Sequence, residues 1–219
     1  MRNSVHQSAH KSTCVNLLDG VDLRPIDADD WSRVRELHTV SFDRLGASQL
    51  GDEHVAAFKD LVSSPEYTAM LQQESLCGAW VDGFLAGTCG WVAANDAGNV
   101  ARLTSLFVHP LFTRMGLGQL LVADAEQRAR NAGFQTFAVR ALPDVAAFFA
   151  RLDYEVTSHG VMSIMGPVTA PVVFLRKSAH MQGMSPRVLS QSRSHDGPRE
   201  TAPDAPHQPD SSELIPRDH

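Results

Sequence analysis

Residues Leu106 to Gln119 read LFVHPLFTRMGLGQ, and this stretch decides the fold. An apolar run, Leu106-Phe107-Val108, ends a strand. Pro110 then marks a turn, and Gly116 and Gly118 fall in the opening turn of a helix. The first N–H groups of a helix have no partner within it, and the macrodipole makes that end positive, so it binds anions. The two glycines remove Cβ atoms where a ligand must come close, and Arg114 adds a positive charge. The physical inference is a diphosphate ligand. The other reading of the same residues is two glycines easing a tight strand-to-helix junction. Two rival phosphate motifs are absent here: GxGxxG and GxxxxGK[ST].

Working upstream, Val100 to His109 reads as a strand, and Asn95 to Asn99 as the turn before it. Leu76 to Val81 and Phe84 to Ala93 flank Asp82-Gly83, the dipeptide favoured in a two-residue type I′ hairpin. Earlier still, Val21 to Pro25 reads as a short strand. Trp31, Val34, Leu37 and Val40 recur at helical spacing after the cap residues Asp27 to Asp30, and that helix is expected to reach Leu45. A second helix carries Val55, Phe58, Leu61 and Val62 on one face. Ser63-Ser64-Pro65 breaks it, and a third short helix follows to Gln73.

Downstream, Gly116 to Ala132 is a helix with Leu117, Leu120, Leu121, Ala125 and Ala129 on its buried side, stopped by Gly133. Phe134 to Arg140 is a strand. Pro143 starts a further helix whose apolar face is Val145, Phe148, Phe149 and Leu152. Tyr154 to Val156 and Val172 to Arg176 close the domain as strands. The strand–helix–strand unit from Val100 to Arg140 requires a parallel pair. The fold class is therefore α/β: a mixed central sheet, antiparallel in its N-terminal strands and parallel at the motif, flanked by helices.

The chain has 219 residues, 43% hydrophobic and 20% charged, which suits one globular domain with tails. Residues 1–20 and 178–219 are expected to be disordered tails, and 21–177 the folded domain. The C-terminal segment has no Phe, Trp or Tyr and holds half of the prolines, so it cannot bury enough apolar area to offset the entropy of ordering. No stretch is long and apolar enough to cross a membrane, and no apolar run follows Arg2 as in a secretory leader. The net charge of −6 argues against nucleic acid or an anionic membrane as the main partner. Cys14, Cys77 and Cys89 form no metal-binding or disulfide pattern, so a cytoplasmic protein with free thiols and no metal is expected.

The sequence resembles the GCN5-related N-acetyltransferase (GNAT) superfamily. Val108-His109-Pro110 matches the family's V-x-P strand end, and Thr113-Arg114-Met115-Gly116-Leu117-Gly118 falls in the register of its [Q/R]-x-x-G-x-[G/A] loop. PDVAAFFARLDY resembles the downstream A-x-x-F-Y-x-x-x-G-F segment, VVFLRK the final strand, and the order of elements agrees across nearly the whole core. The resemblance implies an acetyl-CoA-dependent transfer to an amine by direct attack in a ternary complex. Backbone groups of Phe107 and Val108 would pair with the pantetheine arm. N–H groups from Thr113 through Arg114, Met115, Gly116, Leu117 and Gly118 to Gln119 would hold the pyrophosphate. A backbone N–H at Leu106 would polarise the thioester carbonyl and stabilise the oxyanion, and Asp144 would lie near the pantetheine. A homodimer through Val172 to Leu175 is also suggested by the resemblance.

Two positions depart from the family pattern. Thr113 stands where Gln or Arg is usual, with Arg114 one residue late. Phe149 stands where a tyrosine commonly protonates the leaving thiolate, and it has no proton to donate. Tyr154 is read as a core ring. For a general base, Thr104 and Ser105 are unsuited, and His159 after the Tyr154 strand is the candidate that would point into the acceptor cleft. His109 is read as solvent-facing and Cys89 as a small core residue. Phe42 to Glu53, with Asp43, Asp52 and Glu53, would shape the acceptor site. The substrate is an amine of a small molecule, peptide or protein. The missing tyrosine and base motivate the rival reading, a non-catalytic acyl-CoA-binding sensor.

Overall fold

The computed structural model describes residues 17–46, 50–94 and 99–178. The described residues belong to one compact unit, Met1–Gly183; a second unit, Met184–His219, lies outside them. So do most of the two expected tails and all of the expected Asn95–Asn99 turn but its last residue. The amino-terminal boundary shifts, however. Leu17–Gly20 is a 3-10 turn, and Leu18 packs on the core rather than belonging to a tail.

Strand β1 (Val21–Pro25) leads into α1 (Trp31–Gly46), α2 (Asp52–Ser63) and α3 (Pro65–Gln72). The break between α2 and α3 is chemical: the Ser64 hydroxyl accepts from the Tyr67 N–H and Pro65 takes the first helical position. Strands β2 (Cys77–Val81), β3 (Phe84–Ala93) and β4 (Val100–Val108) follow as an antiparallel run. Asp82 and Gly83 have φ of 48° and 78°, both positive as the expected type I′ turn demands. Then come α4 (Leu117–Asn131), β5 (Thr136–Ala141), the short α5 (Ala146–Ala150), β6 (Glu155–Met165) and β7 (Val168–Ser178).

Among the described residues, seven strands form one mixed sheet in the order β1-β2-β3-β4-β5-β7-β6. Only β4 and β5 are parallel; the other neighbours are antiparallel. Each face has its own core. On one, Val34, Leu37, Phe58, Val62 and Leu71 of α1–α3 cover Leu76, Trp80 and Leu85. On the other, Leu117, Leu121, Val122 and Ala125 of α4 and Phe149 of α5 cover Cys89, Leu103, Phe137 and Val139. No helix of the described residues is long and apolar enough to cross a membrane.

The closing strands are longer than the sequence reading. The short segments at Tyr154–Val156 and Val172–Arg176 are parts of an 11-residue hairpin arm on each side of a Gly166 turn with φ of 56°. Pro171 sits on β7 opposite Val161, beyond the last β5 partner at Val173, so only β6 flanks it there. A proline is tolerated on such a one-sided stretch.

Candidate functional site

The parallel pairing of β4 with β5 covers only Val100–Leu103 against Thr136–Val139. Beyond it the strands part. On β3, Thr88 faces Phe107 while Gly90 faces Thr104, so Cys89 alone opposes both Ser105 and Leu106. This is a β-bulge, and Ser105 takes the left-handed φ of 50° that it imposes. Meanwhile β5 runs on with β7 through Arg140 and Ala141. The end of β4 therefore lacks a strand partner on the β5 side among the described residues. A cavity of about 300 Å³ opens there, lined by Thr104–Val108 of β4, Arg140–Leu142 after β5, Ser41 and Phe42 of α1, Phe149 and Met162.

A second, larger cleft of about 810 Å³ shares Leu106, Val108 and Val145 with the first. The loop after β4 forms its wall. The His109 N–H donates to the Ala86 carbonyl (2.8 Å), and the Thr113 hydroxyl closes the Pro110–Phe112 turn by donating to the Pro110 carbonyl (2.9 Å). Arg114 and Gly116 then have φ of 63° and 86°. The first backbone bond of α4 runs from the Leu120 N–H to the Gly116 carbonyl. Residues 113–116 form turns, and the N–H groups of Leu117, Gly118 and Gln119 stand ahead of that first bond, as the opening N–H groups of a helix do. A helix start entered through left-handed residues is an anion cradle. Thr113, Arg114, Gly116, Gly118 and Gln119 line the cleft on one side, and Val145, Phe148, Arg151 and Leu152 on the other. A Cβ on Gly118 would lie 3.4 Å from the Phe148 ring, an ordinary contact, so the packing itself leaves room for one.

On the α1–α3 face a buried polar chain holds the bulge. The Thr88 hydroxyl donates to the Ser105 carbonyl (2.8 Å) and lies 2.8 Å from His38 Nε2, whose Nδ1 lies 2.7 Å from the Tyr67 hydroxyl. Thr88 has spent its proton, so the His38 Nε2–H donates to it, and with the ring kept neutral Nδ1 accepts from the Tyr67 hydroxyl. His38 is fully buried, and burial lowers its pKa to about 3. The ring also stacks on Phe107 at 4.0 Å. Farther along, the Ser41 hydroxyl donates to the Val108 carbonyl (3.1 Å).

The structure brings most sequence-predicted site residues together. Leu106 and Val108 line both cavities, Phe107 and Phe149 the smaller, and Thr113, Arg114, Gly116, Gly118 and Gln119 the larger. Met115 is exposed beside them, and Leu117 turns its side chain into the core, leaving only its backbone at the cradle. Asp144 is exposed, and its neighbour Val145 faces the cavities instead. His159 stands within β6 opposite Val173, exposed and outside both linings; Met162, three residues on, reaches the smaller cavity. Tyr154 is a core ring whose hydroxyl donates to Glu126, itself bound to Arg130 and Lys177. Cys89 is fully buried, and burial pushes its thiol far up. Of the acceptor-shaping segment, Phe42 lines the smaller cavity, Asp43 pairs with Lys59 at 2.8 Å, and residues 47–49 lie outside the described residues. Arg151 was missed in the sequence, although it falls three residues after Phe148, on the same helical face. His38, Tyr67 and Thr88 carry no local signal at all.

A family model described as Acetyltransferase (GNAT) domain matches residues 47–163. The fold is similar to that of the GCN5-related N-acetyltransferase from Rhodopseudomonas palustris, with a TM-score of 0.64 at 21% identity over 72% of this chain and 94% of that one. It is also similar to PaiA N-acetyltransferase from Thermoplasma acidophilum, solved in complex with coenzyme A, with a TM-score of 0.59 at 15% identity over 72% and 98% of the two chains. In sequence, an uncharacterized N-acetyltransferase, ycf52, of Pyropia yezoensis is 32% identical over 69 residues, or 32% of this chain. The chain spans 40% of the length of that curated relative.

Proposed function

Since the chain belongs to the GNAT acetyltransferase family, we propose that it moves an acetyl group from acetyl-CoA to an amine of a small molecule, peptide or protein, by direct attack in a ternary complex. The observation that carries this reading is the open start of α4 at Leu117–Gln119, reached through left-handed Arg114 and Gly116 and lining the cleft at the mouth of the wedge between β4 and β5.

The residues fit the cofactor part by part. The start of α4 with Arg114 and Arg151 suits a pyrophosphate. The edge of β4 at Phe107 and Val108, which has no strand partner on the β5 side among the described residues although Ser41 holds the Val108 carbonyl, suits an extended amide-bearing arm, taken up as an added strand. The bulge at Leu106 offers a backbone N–H for the thioester oxygen. Acetyl-CoA supplies, when bound, an acyl group on a thiol that leaves readily. The chain's own part is to hold the amine in line, with Ser41, Phe42 and Met162 walling the smaller cavity. Orientation of this kind is worth up to about 7–11 kcal/mol of the barrier. One well-placed oxyanion donor adds about 3–4 kcal/mol.

A second reading, a non-catalytic acyl-CoA sensor, is favoured by one observation: Phe149, buried at the smaller cavity, brings no hydroxyl where the thiolate would leave. Thermal shift with acetyl-CoA, CoA, NADH and ATP, each at about 1 mM, tests the ligand class; a ligand at 100 times its Kd stabilises by about 2.7 kcal/mol, several degrees for a domain of this size. Stabilisation by acetyl-CoA and CoA alone is expected. Thiol release from acetyl-CoA with a panel of amines then separates transferase from sensor. A shift with ATP or NADH instead, or with none of the four, sinks both readings.

A further inference from the structure

The short segment between α3 and β2 is tightly pinned. The Glu74 N–H donates to the Leu71 carbonyl, the Ser75 N–H to the Trp91 carbonyl, and the Arg128 guanidinium to the Ser75 carbonyl. This holds the Glu74 side chain over Gly90 of β3. A Cβ on Gly90 would meet Glu74 Oε2 at 2.9 Å and Thr104 Oγ1 at 3.2 Å. Gly90 does not take a left-handed φ; here the missing side chain makes room for a carboxyl. Glu74 Oε2 and Thr104 Oγ1 are both shut off from solvent and lack a well-formed hydrogen bond among the described residues, with the Thr104 and Ser105 hydroxyls as the carboxyl's polar neighbours. Buried polar atoms left in that state call for an explanation.

Their place supplies one. Thr104 and Ser105 line the smaller cavity next to Leu106. The Ser105 and Thr104 side chains also act on the Glu74 carboxyl, as does Arg102 on β4; Tyr67 of α3 and Cys89 of β3 are the other titratable groups that feel its charge. Burial raises the carboxyl's pKa from its ordinary value, against the opposing pull of Ser105, Thr104 and Arg102. A carboxylate raised in this way is a better base near neutral pH than an ordinary one.

We propose, resting on the transferase reading above, that Glu74 takes the proton lost by the attacking amine, reached through the hydroxyls of Thr104 and Ser105. The nitrogen lone pair forms the bond to the acyl carbon. The carbon–sulfur bond breaks, and the thiolate leaves with its electron pair. The nitrogen's proton passes to a hydroxyl oxygen, whose own proton moves to the Glu74 carboxylate. Glu74 thus ends neutral and later returns its proton to solvent.

The test is thiol release from acetyl-CoA between pH 5 and 9 for the full chain, Glu74→Gln and Thr104→Val. The nucleophiles are water alone, a diamine, an arylethylamine, a lysyl peptide and a peptide with a free α-amine, with acetyl-CoA thermal shift measured on each protein. Glu74→Gln is expected to lose at least about 100-fold in kcat, the usual contribution of a general base. Its KM for acetyl-CoA and its thermal shift should stay unchanged, and the acid limb of its kcat/KM profile should vanish. Thr104→Val should lose rate in the same way. If the wild type turns over and Glu74→Gln keeps both rate and acid limb, the proposal fails and the transferase reading stands. If acetyl-CoA stabilises the wild type but no thiol is released with any nucleophile, the transferase reading falls and takes this one with it. Should Glu74→Gln not respond to acetyl-CoA at all, Thr104→Val decides, and an unchanged acid limb there overturns the relay.

Discussion

The two ends of the wedge between β4 and β5 are made of different materials. The loop end is backbone: a turn, two left-handed residues and an open helix start within one short run. The bulge end is side chain: Tyr67, His38 and Thr88 join residues 29 and 50 positions apart to reach the Ser105 carbonyl. Backbone sites tolerate side-chain change but not a change of conformation. Side-chain chains behave the other way, since one altered member leaves its neighbours buried and unpaired.

The strongest way to break the comparison is at the loop. Gly116→Glu forces a φ of 86° on a residue that resists it and sets a carboxylate in the anion cradle. Acetyl-CoA affinity, measured by titration calorimetry, is expected to fall at least about 100-fold. Wild-type affinity would show that the cradle is not what binds. At the other end, Thr88→Val keeps the shape and strands both His38 Nε2 and the Ser105 carbonyl. Urea unfolding should show a loss of about 2–3 kcal/mol, with acetyl-CoA affinity little changed.

The same chain sets a pH dependence. Below about pH 6.5 the unfolded chain protonates His38, while the folded protein holds it neutral down to about pH 3. Stability from this group is therefore complete above pH 6.5 and is lost as pH falls, at up to about 1.4 kcal/mol per pH unit. Glu74 has the opposite sign: its raised pKa favours the folded state in acid, and that contribution fades as pH rises. Unfolding midpoints between pH 7 and 5 should fall for the wild type, and His38→Gln should flatten the slope. A smaller effect is expected at Arg151→Ala, an exposed cation on the cleft wall. Acetyl-CoA should bind about 2- to 5-fold more weakly, with less dependence on salt, as removal of roughly 0.5–1 kcal/mol would give. His159→Ala should change neither kcat nor pH profile; a lost acid limb there would move the base from β3's neighbourhood to the sheet edge.

What was legible in the sequence follows the same divide. Asp82-Gly83 and Leu106–Gln119 announce themselves because each conformation is set by neighbouring residues. The closing hairpin was seen only in part. β6 is an edge strand exposed along nearly its whole length, and Gly160, Pro167 and Pro171 interrupt the β signal. Glu74 and His38 could not be read in advance. Nothing near Glu74 in the chain says that Gly90 will leave room for its carboxyl, and nothing near His38 names Thr88 as its partner. Their placement is a property of the finished tertiary structure.

The narrow seam between β4 and β5 also bears on how the molecule folds and breathes. Strands β1–β4 pair with sequence neighbours and β7 pairs with both β5 and β6, whereas among the described residues four β4–β5 residue pairs in parallel register carry all the strand pairing between β1–β4 and β5–β7. Local pairings form early and cheaply, and a parallel join across a helical crossover forms late. The two groups should therefore open as separate cooperative units before either unravels, with backbone amides at the seam exchanging with solvent faster than those in the flanking strands. A molecule lying along the free edge of β4 would weld the units together, so that slow exchange at the seam would report occupancy from the protein's own motion.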